Sequence, residues 1–276
     1  MIRVLECKTA SFQDMGRGGY TDIGLSHSGA LDEFSYLYAN ALLGDREKVC
    51  IEAFGDFSFE AMRDFSFSVC GAKEVLINLK PYRAQRSYKA KKGDTVYIKG
   101  GLFYICAKNG FDAPKVFGSC SVSFAQKILQ PLQKGDVLRL KHPQSVPVRH
   151  GFEYSFDNEI RVIGECGFKE IEIENVTREK ALVKGSFENK KEVFEGVNFS
   201  LLGVKEGRAF IALKEYPSID RVAKIADILP VDCFKIAKKP GRYKVKTITL
   251  ETAKKEMIEF YSFFKKLHFT YVQMYH

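Results

Sequence analysis

The chain has no tryptophan, no Cys-x-x-Cys pair, no Gly–Lys dipeptide and no His-Glu-x-x-His. Each of the last three absences removes a function class. Without Gly–Lys–Ser/Thr there is no Walker phosphate loop, and a Rossmann fingerprint starting at Gly16 fails at Thr21, where its third glycine belongs. The five histidines form no close pair of the kind that holds zinc, so no metal site is expected. The seven cysteines (Cys7, Cys50, Cys70, Cys106, Cys120, Cys166 and Cys233) are scattered and mostly flanked by apolar residues. That spacing predicts buried thiols in a reducing compartment, with no native disulfide. No stretch approaches the roughly 20 apolar residues that span a bilayer. The opening "MIRVLECKTASF" lacks the apolar core of a signal peptide. A soluble, cytoplasmic protein without a membrane partner is the expectation.

What is present is ordinary for a globular protein of one large or two small domains: 276 residues, 45% hydrophobic, 28% charged, with 23 phenylalanines to fill a core. The net charge is +9, and residues 238–266 carry much of it, with nine Lys/Arg against three Glu. No nucleic-acid-binding motif accompanies that charge, so it reads as a solvated lysine-rich face and no nucleic-acid partner is expected.

Most of the chain reads as short strands. "FSFSVCG" (65–71), "EVLINLK" (74–80), "GDTVYIKGG" (93–101) and "LFYICAK" (102–108) are β-branched and aromatic, with glycine or Lys–Gly turns between them. "KKGDTVYIK" (91–99) is echoed by "QKGDVLRLK" (133–141), each a Lys–Gly–Asp turn feeding an alternating strand. Two helices stand out. The first runs from about Ala30 to Leu43, with Gly44 to end it, and the second spans about 250–267. The second carries an apolar stripe through Leu250, Ala253, Met257, Phe260, Tyr261 and Phe264, suited to docking on the protein's own sheet.

One segment, "QDMGRGGYTDIGLSHSGALDEFSYLYANALLGD" (13–45), concentrates glycines and polar groups ahead of the first helix. A nucleophile elbow, G-x-S-x-G, is narrowly missed because Ser28 stands where the final glycine belongs. Backbone N–H groups around Ser28, Gly29 and Ala30 precede the helix, where its dipole favours an anion. Arg17 lies in a glycine-flanked turn suited to a carboxylate or phosphate. Asp14 and Asp32 are placed in sequence to orient that arginine. A purely structural Arg–Asp clamp between loop and helix is the alternative reading of the same residues.

The segments "FQDMGRGGY", "GLSHSGALDEFS", "ANALLGD" and "CIEAFGDFSFE" resemble, in order and spacing, the N-terminal half of one family. It is the family of the 5-oxoprolinase C subunit, also called allophanate hydrolase subunit 2 or biotin-dependent carboxyltransferase. Gln13, Asp14, Gly16, Arg17, Gly19, Gly24, Ser28, Gly29, Asp32, Ser35, Ala39, Asn40, Leu42, Gly44 and Glu52 match its pattern. "NGFDAPKVFGSCSVS" (109–123) is similar to its G-G-x-x-x-P-x-x-G-S-x-S-T, with Asn109 and Val122 departing.

The resemblance implies a mainly β fold of tandem cyclophilin-like β-barrels with a few helices. Pro143 and Pro147 suggest a division into residues 1–145, the first barrel region with the glycine-rich site, and 146–276, the second with the C-terminal helix. It also implies partners, a B-type subunit resembling allophanate hydrolase subunit 1 and a separate A-type subunit, which together open 5-oxoproline to glutamate using ATP. Catalytic roles then fall to Asp14, Arg17 and Asp32, and substrate-binding roles to Ser28, Gly29, Asn40, Glu52 and Ser119. Ser28 and Gly29 would offer N–H groups to developing negative charge. The family's Q-T-T-G-G-Y-P signature falls on 213–230, where only Tyr216–Pro217 match. The alternative functions are a urea-carboxylase-like carboxyltransferase component and a non-catalytic regulatory subunit. The former would need a separate biotin carrier, since the chain has no Met–Lys–Met site.

Overall fold

The alternating segments build two β-sheets in the computed structural model, which describes residues 1–273 apart from 186, 188–192, 198 and 218. The first sheet has ten strands: β1 (Ile2–Gln13), β2 (Cys50–Ala61), β3 (Phe65–Cys70), β4 (Glu74–Ile77), β5 (Lys80–Tyr82), β6 (Arg86–Ala90), β7 (Thr95–Lys99), β8 (Leu102–Ala107), β9 (Phe111–Asp112) and β10 (Val137–Leu140). The second has eight: β11 (Glu159–Ile163), β12 (Glu170–Val176), β13 (Lys180–Val183), β14 (Val193–Gly196), β15 (Leu201–Lys205), β16 (Arg208–Ala212), β17 (Ile219–Ile228) and β18 (Arg242–Ile248). Three α-helices accompany them, α1 (Glu33–Leu42), α2 (Pro230–Lys238) and α3 (Leu250–Gln273). The mainly β expectation holds. "EVLINLK" is corrected in detail. Asn78 and Leu79 take positive φ and fold it into the β4–β5 hairpin in place of a single strand.

The first sheet forks at β2. Ile51–Phe54 pair with β8, Phe57–Glu60 pair with β7, and nearly the whole strand pairs with β1. Its core is aromatic, with Phe57, Phe59, Phe67, Phe103 and Phe111 fully buried. In the second sheet, seven strands close a barrel in the order β11-β18-β12-β13-β16-β15-β17, with β17 returning to β11 and β14 added outside on β17. Between the two sheets, residues 144–151 run along the first: Val146 N–H donates to Ser66 Oγ, Arg149 N–H to Ser87 Oγ, and Gly151 N–H to the Gln85 carbonyl.

Helix α1 lies between the sheets and is buried on almost every side. Its neighbours form one continuous core, with Cys70 and Tyr104 from the first sheet and Ile160, Val162, Ile211 and Ile228 from the second. The helix starts later than the sequence suggests because Asp32, with non-helical φ −112° and ψ 88°, caps it by accepting from the Ser35 N–H at 3.1 Å. Helix α2 lies outside the sequence expectation; Pro230 opens it at the first turn. Helix α3 extends to Gln273 and packs chiefly on α1 and α2, with Phe260 and Phe264 against Phe34.

The expectation of seven free thiols is corrected. Cys50 and Cys106 form a disulfide, with Cα atoms 4.5 Å apart. They sit on the paired strands β2 and β8, next to the Ile51–Ile105 register pair, so the sheet joins residues 56 apart in sequence. Spacing rules detect local frameworks and cannot see such a cross-strand pair. Cys7, Cys70, Cys120, Cys166 and Cys233 are free.

Candidate functional site between the two sheets

The glycines of residues 13–31 permit a crossing of two backbone segments. Arg17 N–H donates to the His27 carbonyl at 2.8 Å, and Ala30 N–H to the Asp14 carbonyl at 2.9 Å. A Cβ on Gly16 would lie 2.5 Å from the His27 oxygen, and one on Gly29 would lie 2.8 Å from the Gly16 nitrogen. Both have φ above +90°, so at these two positions only glycine fits.

Asp14 is the clasp of this crossing. Its Oδ1 accepts from Gly16 N–H, Ser119 Oγ and Ser121 Oγ, and its Oδ2 accepts from Cys120 N–H at 2.7 Å. The Asp14–Ser119 pairing therefore fixes the 119–121 turn against the glycine-rich segment. Arg17 packs beside it, 2% exposed, and its Nη2 donates to the Ser121 carbonyl. Among the described residues its Nε and Nη1 find no hydrogen-bond partner, a condition shared by Gln13 Oε1 and the Tyr36 hydroxyl. Burial lowers the Arg17 pKa, against the opposing fields of Asp14 and Glu215. Among the described residues no carboxylate lies within ion-pair distance of its guanidinium. The expectation that Asp14 and Asp32 orient Arg17 directly is thus corrected: hydrogen bonds from the 119–121 turn and Gly16 engage Asp14, and Asp32 caps a helix.

A second cluster forms where α1 meets both sheets. Besides capping α1, Asp32 pairs with Lys238 of α2 at 3.1 Å, and its N–H donates to the Tyr104 hydroxyl. Glu52 Oε2 accepts from Leu31 N–H at 2.9 Å and from the Tyr104 hydroxyl at 2.5 Å, while Oε1 meets Arg178. Arg178 also pairs with Glu215 and donates from Nη2 to the Gly29 carbonyl at 2.8 Å. Lys214 pairs with Glu33, whose other oxygen accepts from Tyr261. Ser28 N–H donates to the Lys214 carbonyl at 2.7 Å, which corrects its expected role as a free donor for developing negative charge. Asn40 stands at the far end of α1, where Oδ1 accepts from Lys48 N–H and Nδ2 donates to the Tyr36 carbonyl. The structure therefore groups Asp14, Arg17 and Ser119 together, and Ser28, Gly29, Asp32 and Glu52 together, but sets Asn40 apart.

Arg178, Lys214, Glu215 and Lys238 escape a reading of the sequence. A signal exists for two of them: Lys214–Glu215 directly follows the apolar run of β16, where a buried ion pair needs a partner. Beside this cluster opens a cleft of about 570 Å³. Leu31, Phe54, Phe124, Arg178, Glu215 and Lys238 are among the residues that line it. Its size and its mix of apolar surface with a few charged groups suit a small molecule. Among the described residues, no group of three or more His, Cys, Asp or Glu is placed to hold a metal ion, and no helix is long and apolar enough to cross a membrane.

Known proteins share this architecture. The crystal structure of TTHA0988 superposes with a TM-score of 0.82 over 90% of this chain and 56% of that one, at 22% identity. The Kluyveromyces lactis urea carboxylase superposes with a TM-score of 0.83 over 96% of this chain and 29% of that one, at 18% identity. In sequence, the chain is 34% identical over 151 residues to the 5-oxoprolinase C subunit of Haemophilus influenzae. That match takes in half of this chain and about half the length of the relative, 49%. The family described as carboxyltransferase domain, subdomain A and B, matches residues 23–163, just over half of the 276 residues and including α1, Glu52 and Ser119. The chain belongs to this carboxyltransferase-domain family.

Proposed function

We propose that the chain is one component of an ATP-dependent 5-oxoprolinase, opening 5-oxoproline to glutamate together with partners like the B-type and A-type subunits of 5-oxoprolinase. The observation that carries the reading is the inter-sheet cleft of about 570 Å³, lined by Arg178, Glu215 and Lys238 together with Leu31, Phe54 and Phe124. A lactam acid of nine non-hydrogen atoms is small for that volume, so there is room for groups from a partner. The named relative from Haemophilus influenzae, a 5-oxoprolinase C subunit, supports the same assignment.

In this reading the cations on the cleft wall balance the carboxylate of the lactam. Lys238 is the more available of the two, its side chain 19% exposed against 8% for Arg178, although it pairs with Asp32 and donates to the Tyr154 hydroxyl at 3.1 Å. Glu52 and Glu215 hold Arg178, and Asp32 holds Lys238, so these acids position the cations. Asp14 and Ser119 keep the 119–121 turn in place. ATP belongs to the assembled complex, because the chain has no phosphate loop. The test is Lys238→Met in the assembled complex: KM for 5-oxoproline should rise at least tenfold with a smaller change in kcat. An unchanged KM would exclude Lys238 from substrate binding.

A non-catalytic regulatory role is the second reading. It is favoured by the Lys214–Glu215 pair, which stands where the family signature is expected and is locked into buried ion pairs. Absence of lactam-dependent turnover from a correctly assembled complex would select it.

A further inference from the structure

A second cavity, of about 450 Å³, opens where α1, α3 and the loop after α1 meet. It shares no lining residue with the inter-sheet cleft. Leu37 and Ala41, one turn apart on α1, line it together with Tyr261 and Phe264 of α3. Leu37, Ala41 and Phe264 are buried, so the cavity is apolar within. Both rings are held in place. Tyr261 stands edge-on to Phe260 at 5.1 Å, and its hydroxyl donates to Glu33 at 2.7 Å. Phe264 stands edge-on to Phe34 at 5.2 Å and to Phe260 at 5.3 Å. Aromatic surface fixed in this way can receive another ring with little further ordering. Glu33 also pairs with Lys214, the chain neighbour of Glu215, so Tyr261 and the inter-sheet cleft are joined through buried bonds.

Asp45, Arg46, Glu47 and Lys265 supply the charged part of the lining. Asp45 is buried and already engaged: Lys108 Nζ donates to Oδ1 at 2.7 Å and Asn109 N–H to Oδ2 at 2.7 Å. The other three are exposed. Two cations against one carboxylate leave a positive surplus there, and among the described residues Lys265 forms no ion pair. The cavity therefore joins an apolar, aromatic interior to a cationic opening. Its volume falls within the range of small-molecule pockets, about 300–1,000 Å³, and an anionic head suits its charge better than a cationic one.

We infer that this cavity is a binding site for a small planar aromatic carboxylate, its ring between α1 and α3 and its carboxylate at Lys265. The inference stands apart from lactam chemistry, because the two cavities share no residue and binding is measured on this chain alone. The protein has no tryptophan, so indole-3-acetate excited beyond the tyrosine band reports its own binding by fluorescence. Titrated at low, constant ionic strength, it should give a saturable change with a Kd of about 1 mM or tighter, as expected for thirteen non-hydrogen atoms at ordinary ligand efficiency. Tryptamine, with the same ring and a cationic head, should bind about tenfold more weakly. Ala41→Phe should fill the cavity and abolish the change. If that variant does not fold, Lys265→Glu decides alone: it alters an exposed residue and should weaken indole-3-acetate binding roughly fivefold. The inference is overturned if no saturable change appears, if tryptamine binds as tightly as indole-3-acetate, or if either folded variant binds as the wild type does. Each of these results leaves turnover by the assembled complex to its own assay.

Discussion

Replacing Arg178 by methionine should be among the most damaging single changes in the chain. The arginine comes from the short turn between β12 and β13 and reaches across to Glu52 on β2, 126 residues away. It also binds Glu215 and the Gly29 carbonyl, so one side chain ties both sheets to the glycine-rich segment. The side chains of Glu52 and Glu215 are each 1% exposed. Methionine preserves much of the volume but strands two carboxylates away from water. Breaking a buried pair in this way costs about 3–5 kcal/mol. At roughly 2–4 °C per kcal/mol for a chain approaching this size, the melting midpoint should fall by about 10 °C. Circular dichroism at 218 nm (roughly the β-sheet minimum), followed through a thermal ramp and a urea titration, measures both quantities. Adding Glu52→Gln and Glu215→Gln to the variant should recover a substantial part of the loss, since the charges left unpaired are then gone. A loss below about 1 kcal/mol would refute the claim that this triad joins the sheets.

Two further outcomes follow from the same geometry. The His27 pKa is depressed by burial and by Lys214, so the unfolded chain takes up this proton first as pH falls. Its contribution to stability is present above the ordinary histidine value of about 6.5 and declines as pH drops below it; His27→Gln should flatten that part of the stability profile. Thiol titration of denatured, never-reduced protein should return five free groups, with two more appearing after reduction of Cys50–Cys106. Seven groups before reduction would contradict the disulfide.

The strands are legible in the sequence because their signals are local. Alternating apolar residues and Lys–Gly–Asp turns anticipate β7 and β10, although the echo between them does not extend to pairing: β7 joins β2 and β4, whereas β10 joins β1 and β9. The Asp14–Arg17–Ser119 grouping is legible through the family resemblance. Its internal logic is not, because Asp14 is claimed by hydrogen bonds from residues more than 100 positions away. Arg178 offers no signal. In "NVTREKALV" it occupies an ordinary turn closed by Thr177 N–H donating to the Lys180 carbonyl, and only Glu52 and Glu215 give it meaning. Helix α2 escapes for a different reason. It is one short segment of nine residues, and lysines interrupt its apolar face. The same dependence on long-range register hides the Cys50–Cys106 pair.

The central claim is that this chain supplies one side of a lactam-opening site and that partner subunits complete it. The most direct measurement is 5-oxoproline-dependent ATP hydrolysis, comparing the purified chain with a complex reconstituted from the chain and its cognate B-like and A-like subunits. The account predicts no turnover by the chain alone, robust turnover by the complex, and loss of turnover when this chain is omitted. Turnover by the purified chain, or full activity of the partners without it, would contradict the account.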